Sequence, residues 1–199
     1  MQESRRRTNQ ERTAATRERL IAAARQLFVE KSYAETSTPE IVARAGLTRG
    51  ALYHHYADKQ SLFHAVVVEE ARKVAGEIEA RSVNSTTPLQ GLLTGGEAFL
   101  EAMAVPGRTR LLLLDGPAVL GQATMDQIDE AHGNRTLREG LIAAMQAGQI
   151  RRLPPAALAA LLGAAYDRAA LVIEAGGDAE ALHQTLAALL EGLAVEDGG

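Results

Sequence analysis

The sequence predicts an all-α protein with a three-helix N-terminal unit and a larger helical C-terminal domain. Apolar residues recur at helical spacing along most of the chain, and capping signals precede several of these segments. No segment alternates apolar and polar residues as a half-buried strand does. The length of 199 residues suits one large or two small domains.

The first two predicted helices follow from an apolar stripe and a capping box. A helix over about 8–31 carries one apolar face, and the segment 31–35 interrupts it. Ser37 and Glu40 then have the spacing of a capping box. Pro39 suits a first helical turn, and Gly46 suits the left-handed residue at which a helix ends. The apolar face of the first helix consists of Leu20, Ile21, Ala24, Leu27 and Phe28.

A third and a fourth helix follow after a tight turn. Thr48 is a cap for a short helix that begins at Arg49, and Asp58 is a cap for a connecting helix over 58–82. A short helix, a glycine turn and a second short helix together form a helix-turn-helix over about 37–56. In that motif the second helix enters the major groove of DNA.

From about residue 84 onward the sequence contains only helical patterns. The predicted helices run from 85–88 to near 105–107, over 108–115 and over 119–131. The segment 135–147 either continues the last of these or begins a new helix after Gly133. We expect Gly116–Pro117 to close the helix over 108–115. Pro154–Pro155 begins a further helix that ends at Gly176–Gly177, and a leucine-rich helix follows it.

The charge is distributed unevenly along the chain. The total is 21 Lys and Arg against 25 Asp and Glu, a net charge of −4. Residues 1–60 hold eleven of these bases against seven acids, so they carry +4 and leave −8 to the rest. A basic helix-turn-helix joined to an acidic body indicates two functional parts, of which the first suits nucleic acid.

The composition excludes several classes of protein. The chain has no Cys, so it has no disulfide, no thiolate nucleophile and no Cys-ligated metal. Its longest apolar runs fall far short of the ~20 residues that a spanning helix needs. The basic N-terminus precedes no apolar signal region. We therefore predict a cytoplasmic protein with no membrane partner, no metal and no cofactor.

The stretch from Arg17 to about Val74 resembles the DNA-binding domain of the tetracycline-repressor (TetR) family. The departures are Ser32 where Gly is usual, Tyr56 where Phe is usual and Gln60 where an acid is common. The matching residues are Ala22–Ala24, Leu27–Phe28, Tyr33, Thr36–Ser37, Ile41, the run Ala43–Tyr56, Lys59 and Leu62–Phe63.

The resemblance implies DNA contacts from the start of the second helix and from residues 48–59, with Phe28, Ile41 and Leu52 in the core. Arg49 has the fork that reads guanine or pairs with a phosphate, and small residues beside it let the backbone approach the groove. The hydroxyl and imidazole groups can donate to phosphates. The predicted DNA-binding residues are Ser37, Thr38, Thr48, Arg49, Gly50, Ala51, Tyr53, His54, His55 and Lys59.

Three features of the N-terminal part have alternative interpretations. Arg5–Arg7 is either a basic arm that contacts DNA or a solvated tail. Arg49 alone could be an ordinary surface charge. The pair His54–His55 could bind a metal, but adjacent helical positions point about 100° apart and suit one ion poorly.

Members of the resembling family dimerise through their last two helices, so the resemblance implies a homodimer. The alternative is that the apolar stripes of these helices belong to the core of one chain. The predicted interface residues are Leu158, Leu162, Ala165, Ala169, Leu182, Leu186, Leu189 and Leu193.

The resemblance also implies a ligand cavity among the central helices. Asp115 is its most distinctive candidate, and the alternative is that it caps the turn at Gly116–Pro117. Phe99 and the Met residues could equally be plain core. The predicted ligand residues are Phe99, Met103, Leu111, Leu114, Asp115, Met125, Ile128 and Tyr166.

These features predict a regulator of transcription, a repressor that binds a palindromic operator as a dimer and leaves it when an unidentified small-molecule inducer binds. The first alternative is an architectural or activating DNA-binding protein without ligand release. The remote alternative is a helical metalloenzyme that uses Asp129, Glu130 and His132, although no third ligand is evident. The predicted domains are 1–60 for DNA binding and 83–199 for ligand binding and dimerisation.

Overall fold

The computed structural model describes the backbone of residues 2–195 and the side chains of residues 10–195. Within this part of the chain the only β-type pairing is an isolated bridge between Ile150 and Ala194, so the all-α prediction is confirmed. The elements are α1 (Gln2–Lys31), α2 (Thr38–Ala45), α3 (Arg49–His55), α4 (Lys59–Ser82), α5 (Pro88–Met103), a π-helix (Arg110–Asp115), α6 (Gly116–Leu120), α7 (Gln122–Ala131), α8 (Gly133–Gln146), α9 (Pro155–Glu174) and α10 (Ala179–Glu191).

The predicted caps set the boundaries of the helix-turn-helix. The Glu40 side chain accepts a hydrogen bond from the Ser37 amide at 3.0 Å, and Ser37 in turn caps the Glu40 amide. Gly46 ends α2 in the left-handed conformation, with φ of 61°. The Thr48 hydroxyl accepts from the Ala51 amide at 3.1 Å. The turn between α2 and α3 is therefore fixed by side chains that the sequence identifies.

An aromatic cluster holds α1, the loop after it and α4 together. The ring centroid of Phe28 lies 5.2 Å from that of Phe63 and 5.7 Å from that of Tyr33. Phe28, Ile41 and Leu52 are fully buried, as the resemblance implied. Aromatic packing of this kind gives the small N-terminal unit a rigid core.

The segment after α5 differs from the prediction. Residues 110–115 form a π-helix that continues directly into α6. Gly116 and Pro117 do not close a helix but begin one, because proline in a first turn loses no hydrogen bond. Gly121, with φ of 82°, ends α6, so the single helix predicted over 119–131 is wrong.

A buried ion network joins the N-terminal unit to the C-terminal domain. Glu70 of α4 is 1% exposed. Its carboxylate lies 3.0 Å from Arg25 of α1, 3.0 Å from Lys73 and 3.3 Å from Arg108, which precedes the π-helix. Arg108 is also buried and makes two 3.1 Å bonds to Glu77. Three elements therefore meet around one carboxylate.

The last two helices present a different exposed face from the predicted one. Leu162, Ala169 and Leu186 are buried within the single chain, because the stripe that contains them faces the core. Leu158, Ala165, Leu182 and Leu193 are partly buried against the same core. Of the eight predicted interface residues, only Leu189 is exposed, at 53%.

Candidate nucleic-acid interface and ligand cavity

The outer surface of α3 brings several predicted DNA-binding residues together. Arg49, Tyr53 and His54 are all exposed. The Arg49 guanidinium lies 5.4 Å from the centroid of the Tyr53 ring, an arrangement that orients its fork. Hydrogen bonding with Thr38, and then with Arg49, lowers the pKa of Tyr53. The start of α2 and the recognition helix α3 therefore form one continuous surface.

Small side chains and capping residues border this surface. Gly50 is exposed, and only Thr48 lies within 4 Å of where its Cβ would be. Ala51 is partly exposed beside it. A duplex can therefore approach the α3 backbone closely. The Thr48 hydroxyl accepts from the Ala51 amide and can still donate to a phosphate. The Ser37 hydroxyl already donates to Glu40 Oε2 at 2.8 Å, so in this structure its proton is used within the cap.

Lys59 is engaged by the protein itself. Its ammonium donates to the carbonyl oxygens of Tyr33 at 2.8 Å and Thr36 at 2.9 Å. It also lies 4.2 Å from the centroid of the Tyr33 ring. In this structure Lys59 therefore fixes the loop between α1 and α2. The sequence predicts that Lys59 contacts a DNA phosphate. No local pattern indicates that it binds backbone carbonyls of this loop instead.

The two histidines occupy different environments. His54 is exposed, whereas His55 is partly buried. Burial, and then the charges of His54 and Arg17, lower the pKa of His55, so it is mostly uncharged at neutral pH. Within the described part of the chain no group of three His, Asp or Glu side chains could hold a metal. The side chains of the Arg5–Arg7 arm lie outside the described residues.

The C-terminal domain contains two cavities that share part of their walls. The larger, with a volume of about 400 Å³, lies among α4, α5, α8 and α9. The smaller, of about 280 Å³, extends toward the π-helix and α7. Phe99, Asp129, Gly133 and Asp167 line both. The two spaces therefore meet at a pair of carboxylates.

The larger cavity depends on close packing of a tyrosine over a glycine. A Cβ at Gly96 would lie 2.1 Å from the Tyr166 hydroxyl. The Tyr166 ring meets Phe99 edge to face, with centroids 5.8 Å apart. Burial, and then the charge of Glu97, raise the pKa of Tyr166 to about 12, so its hydroxyl keeps the proton and can donate it to a hydrogen bond.

Some of the predicted ligand residues line a cavity and others line none. Phe99 and Tyr166 line the larger cavity, and Phe99, Met103, Met125 and Ile128 line the smaller. Leu111 is fully buried, Leu114 is 51% exposed, and neither lines a cavity. Asp115 makes no cap. The capping interpretation is therefore wrong. Asp115 Oδ2 lies 3.3 Å from Arg110 Nε, and the residue lines neither cavity.

Sequence reasoning missed Asp167 as a cavity residue and considered Asp129 only for metal binding. Burial, and then the charge of Asp129, raise the pKa of Asp167 to about 7. A signal for Asp167 was present, since it is one of few charged residues in the Ala- and Leu-rich helix α9. Asp129 Oδ1 accepts from the Asn134 amide at 3.2 Å.

An exposed helix-turn-helix joined to a helical body with a partly open cavity is the arrangement of a DNA-binding regulator. Residues 20–66 match the family described as "Bacterial regulatory proteins, tetR family". Residues 89–195 match the "Tetracyclin repressor-like, C-terminal domain". The two matches cover the parts of the chain that carry the helix-turn-helix and both cavities.

The chain belongs to the TetR family of transcriptional regulators, which are not enzymes. A TetR-family regulator from Pectobacterium atrosepticum shares the fold with a TM-score of 0.76 and 34% identity, over 94% of this chain and 97% of that one. The transcriptional repressor BepR of Brucella suis is 36% identical over 109 residues, 54% of this chain and 51% of BepR. The A-factor receptor protein of Streptomyces griseus is 34% identical over 94 residues, 47% of this chain and 32% of that protein. The matched segments thus span about a third to a half of the last two relatives.

Proposed function

We propose that this protein is a transcriptional repressor that binds a palindromic operator as a homodimer and releases it when a small molecule enters the C-terminal cavity. The observation that supports this most directly is the exposed α3 surface of Arg49, Tyr53 and His54, held by side-chain caps. Arg49 supplies a bidentate donor for guanine, and neighbouring hydroxyls supply phosphate contacts.

The proposal also explains how ligand binding reaches DNA. Helix α4 begins beside the helix-turn-helix, and its last turns line the larger cavity at Ile78 and Ser82. A ligand that fits one arrangement of the cavity better than another shifts the balance between two placements of α3. The two recognition helices of a dimer must lie about 34–36 Å apart to reach successive major grooves. A change in that spacing releases the operator.

The homodimer is proposed to form through the outward faces of α9 and α10. Leu161 is 72% exposed and Leu189 is 53% exposed in the single chain. By length and composition α9 could cross a membrane, and only 28% of its apolar window is buried in one chain. Asp167 and Arg168 lie in the middle of that helix and disfavour a lipid environment. In the cytoplasm, packing against a second copy of the chain would remove the apolar face of α9 from water instead.

The test is an operator-binding measurement with a single substitution. An operator is first selected from random duplexes, and binding is then followed by fluorescence anisotropy. Arg49→Ala should weaken operator binding by roughly 5- to 150-fold, since a bidentate base contact is worth ~1–3 kcal/mol. Arg152→Ala, which removes an exposed arginine far along the chain, is the control. Equal affinity of Arg49→Ala and wild type would disprove the proposed readout.

A further experiment separates the repressor from an architectural protein without ligand release. The purified dimer on its operator is screened against a small-molecule library for release. A compound that lowers operator affinity in wild type, and loses this effect when Gly96→Ala moves the Tyr166 ring, supports the ligand-responsive repressor. If no compound releases the operator, the protein binds DNA without sensing a ligand in this cavity.

A further inference from the structure

We propose that the ligand of this cavity is an organic cation with an apolar body, held by the carboxylates of Asp129 and Asp167. The inference rests on the proposed function in so far as it assumes that the cavity takes a ligand. It adds the charge and the chemical class of that ligand.

The first observation is the charge on the cavity walls. Asp129 and Asp167 line both cavities, and Asp126 lines the smaller one. Neither set of lining residues includes Lys, Arg or His. The walls therefore hold acidic groups without a facing base. An anionic ligand would meet repulsion throughout, and a neutral one would leave the repulsion between the carboxylates in place.

The second observation is an aromatic wall with a free donor and acceptor. Tyr166 is only 7% exposed, yet its hydroxyl has no hydrogen-bond partner within the described part of the chain. It lines the larger cavity beside Phe99. An ammonium group is attracted to the faces of aromatic rings as well as to carboxylates. The Tyr166 oxygen can also accept a hydrogen bond from an N–H group of such a cation. Tyr166 thus extends the acidic pair into a site for a cation.

The third observation is the state of Asp167 without a ligand. Its raised pKa, near 7, reflects a carboxylate that has lost water and faces another acid. A cation between the two carboxylates replaces that missing hydration. Other charges around this point are Glu130, Asp126 and His132 near Asp129, and Glu97 near Tyr166. Three of these four are acidic, but Glu130 is paired with Arg138. Asp126 and Glu97 are therefore the acids that add to the preference for positive charge.

The apolar walls of the larger cavity indicate the size and the apolar character of the rest of the ligand. The remaining walls of the larger cavity include Ile78, Leu92, Phe99 and Leu137, together with several glycines. A volume of about 400 Å³ lies in the range of sites for drug-sized molecules. A small hydrated ion would leave this apolar surface uncovered. The chemistry therefore favours an aryl or alkyl amine, or a quaternary ammonium ion.

The test uses three matched probes on the full-length dimer by isothermal titration calorimetry. The probes are phenylalkylammonium ions of increasing chain length, the corresponding uncharged phenylalkanols and the corresponding carboxylates. At least one cation should bind roughly tenfold or more tightly than its uncharged analogue, as expected for charged contacts. Asp167→Asn and Asp129→Asn should each remove most of that preference while the binding of the uncharged analogue stays the same.

Glu101→Gln is the matched control, because Glu101 is exposed on α5 and lines neither cavity. It should leave the cation preference intact. Equal binding of cation and uncharged analogue, stronger binding of the carboxylate, binding by none of the probes, or an unchanged preference in both Asp variants would overturn the inference. Operator binding is measured in the same samples. A cation that binds without releasing the operator supports the site and contradicts ligand-controlled release, so the two failures are distinguishable.

Discussion

Replacing Glu70 with glutamine tests whether the buried ion network stabilises the junction between the two parts of the chain. Glu70 is 1% exposed and faces Arg25, Lys73 and Arg108. Glutamine keeps the shape of the side chain and removes its charge. It leaves the buried guanidinium of Arg108 with one acid fewer.

The magnitude follows from burial. Removing one member of a buried ion pair costs about 3–5 kcal/mol, because the remaining charge is left without compensation. Arg108 still has Glu77 and the Ala102 carbonyl, at 3.1 Å and 2.7 Å. We therefore expect the lower end, a loss of about 3 kcal/mol in the free energy of unfolding. Glu77 pairs with the same arginine but is 45% exposed, so Glu77→Gln should cost less than about 1 kcal/mol.

The assay is urea unfolding of wild type, Glu70→Gln and Glu77→Gln at equal protein concentration, since the stability of an oligomer depends on concentration. The pH gives a second check. Burial raises the pKa of Glu70, but Lys73 and Arg25 outweigh this effect and the pKa lies below its ordinary value. Its contribution is therefore complete above the unfolded-state pKa of about 4.3 and is lost as the pH falls through the lower folded-state pKa.

We expect the free energy of unfolding of wild type to exceed that of Glu70→Gln by the full amount at pH 7, and this difference should shrink below about pH 4. A Glu70→Gln loss no larger than that of Glu77→Gln would refute the reasoning. So would a difference that stays constant as the pH falls.

Three further outcomes are expected from other features. Tyr56→Phe should raise the free energy of unfolding by about 1 kcal/mol, because the buried Tyr56 hydroxyl lacks a hydrogen-bond partner; a loss of stability in urea would mean that this hydroxyl is satisfied. Leu189→Glu should give a monomer in sedimentation velocity, whereas Leu114→Glu, similarly exposed on the π-helix, should remain a dimer. Operator affinity should fall steeply with salt as phosphate counterions are released, and Arg49→Ala should change that slope little if it reads a base.

The helix-turn-helix was predictable because its signals are local. Ser37, Gly46, Thr48 and Asp58 each fix a helix end through bonds to residues within a few positions. A cap acts on its own turn, so its spacing appears directly in the sequence. The identity of the α3 residues that face outward follows from the same boundaries.

The cavity and the interface were less predictable because they depend on distant contacts. The Leu- and Ala-rich stripes of α9 and α10 look alike on both faces, so periodicity alone could not tell core from interface. Asp115 stood out next to an apolar run, but Arg110 pairs with it. Glu70 and Arg108 are 38 positions apart, and no local pattern connects them.

The packing of Tyr166 over Gly96 limits how the size of the larger cavity can change. The hydroxyl occupies the space where a single methyl group at position 96 would be. A side chain at position 96 therefore requires Tyr166 to move or to be replaced by a smaller residue. Exchanging the glycine–tyrosine pair for an alanine with a smaller partner would resize the cavity while Asp129 and Asp167 remain. Under the proposed function, such a pair of substitutions would change which inducer the cavity accepts without altering the surface of α3.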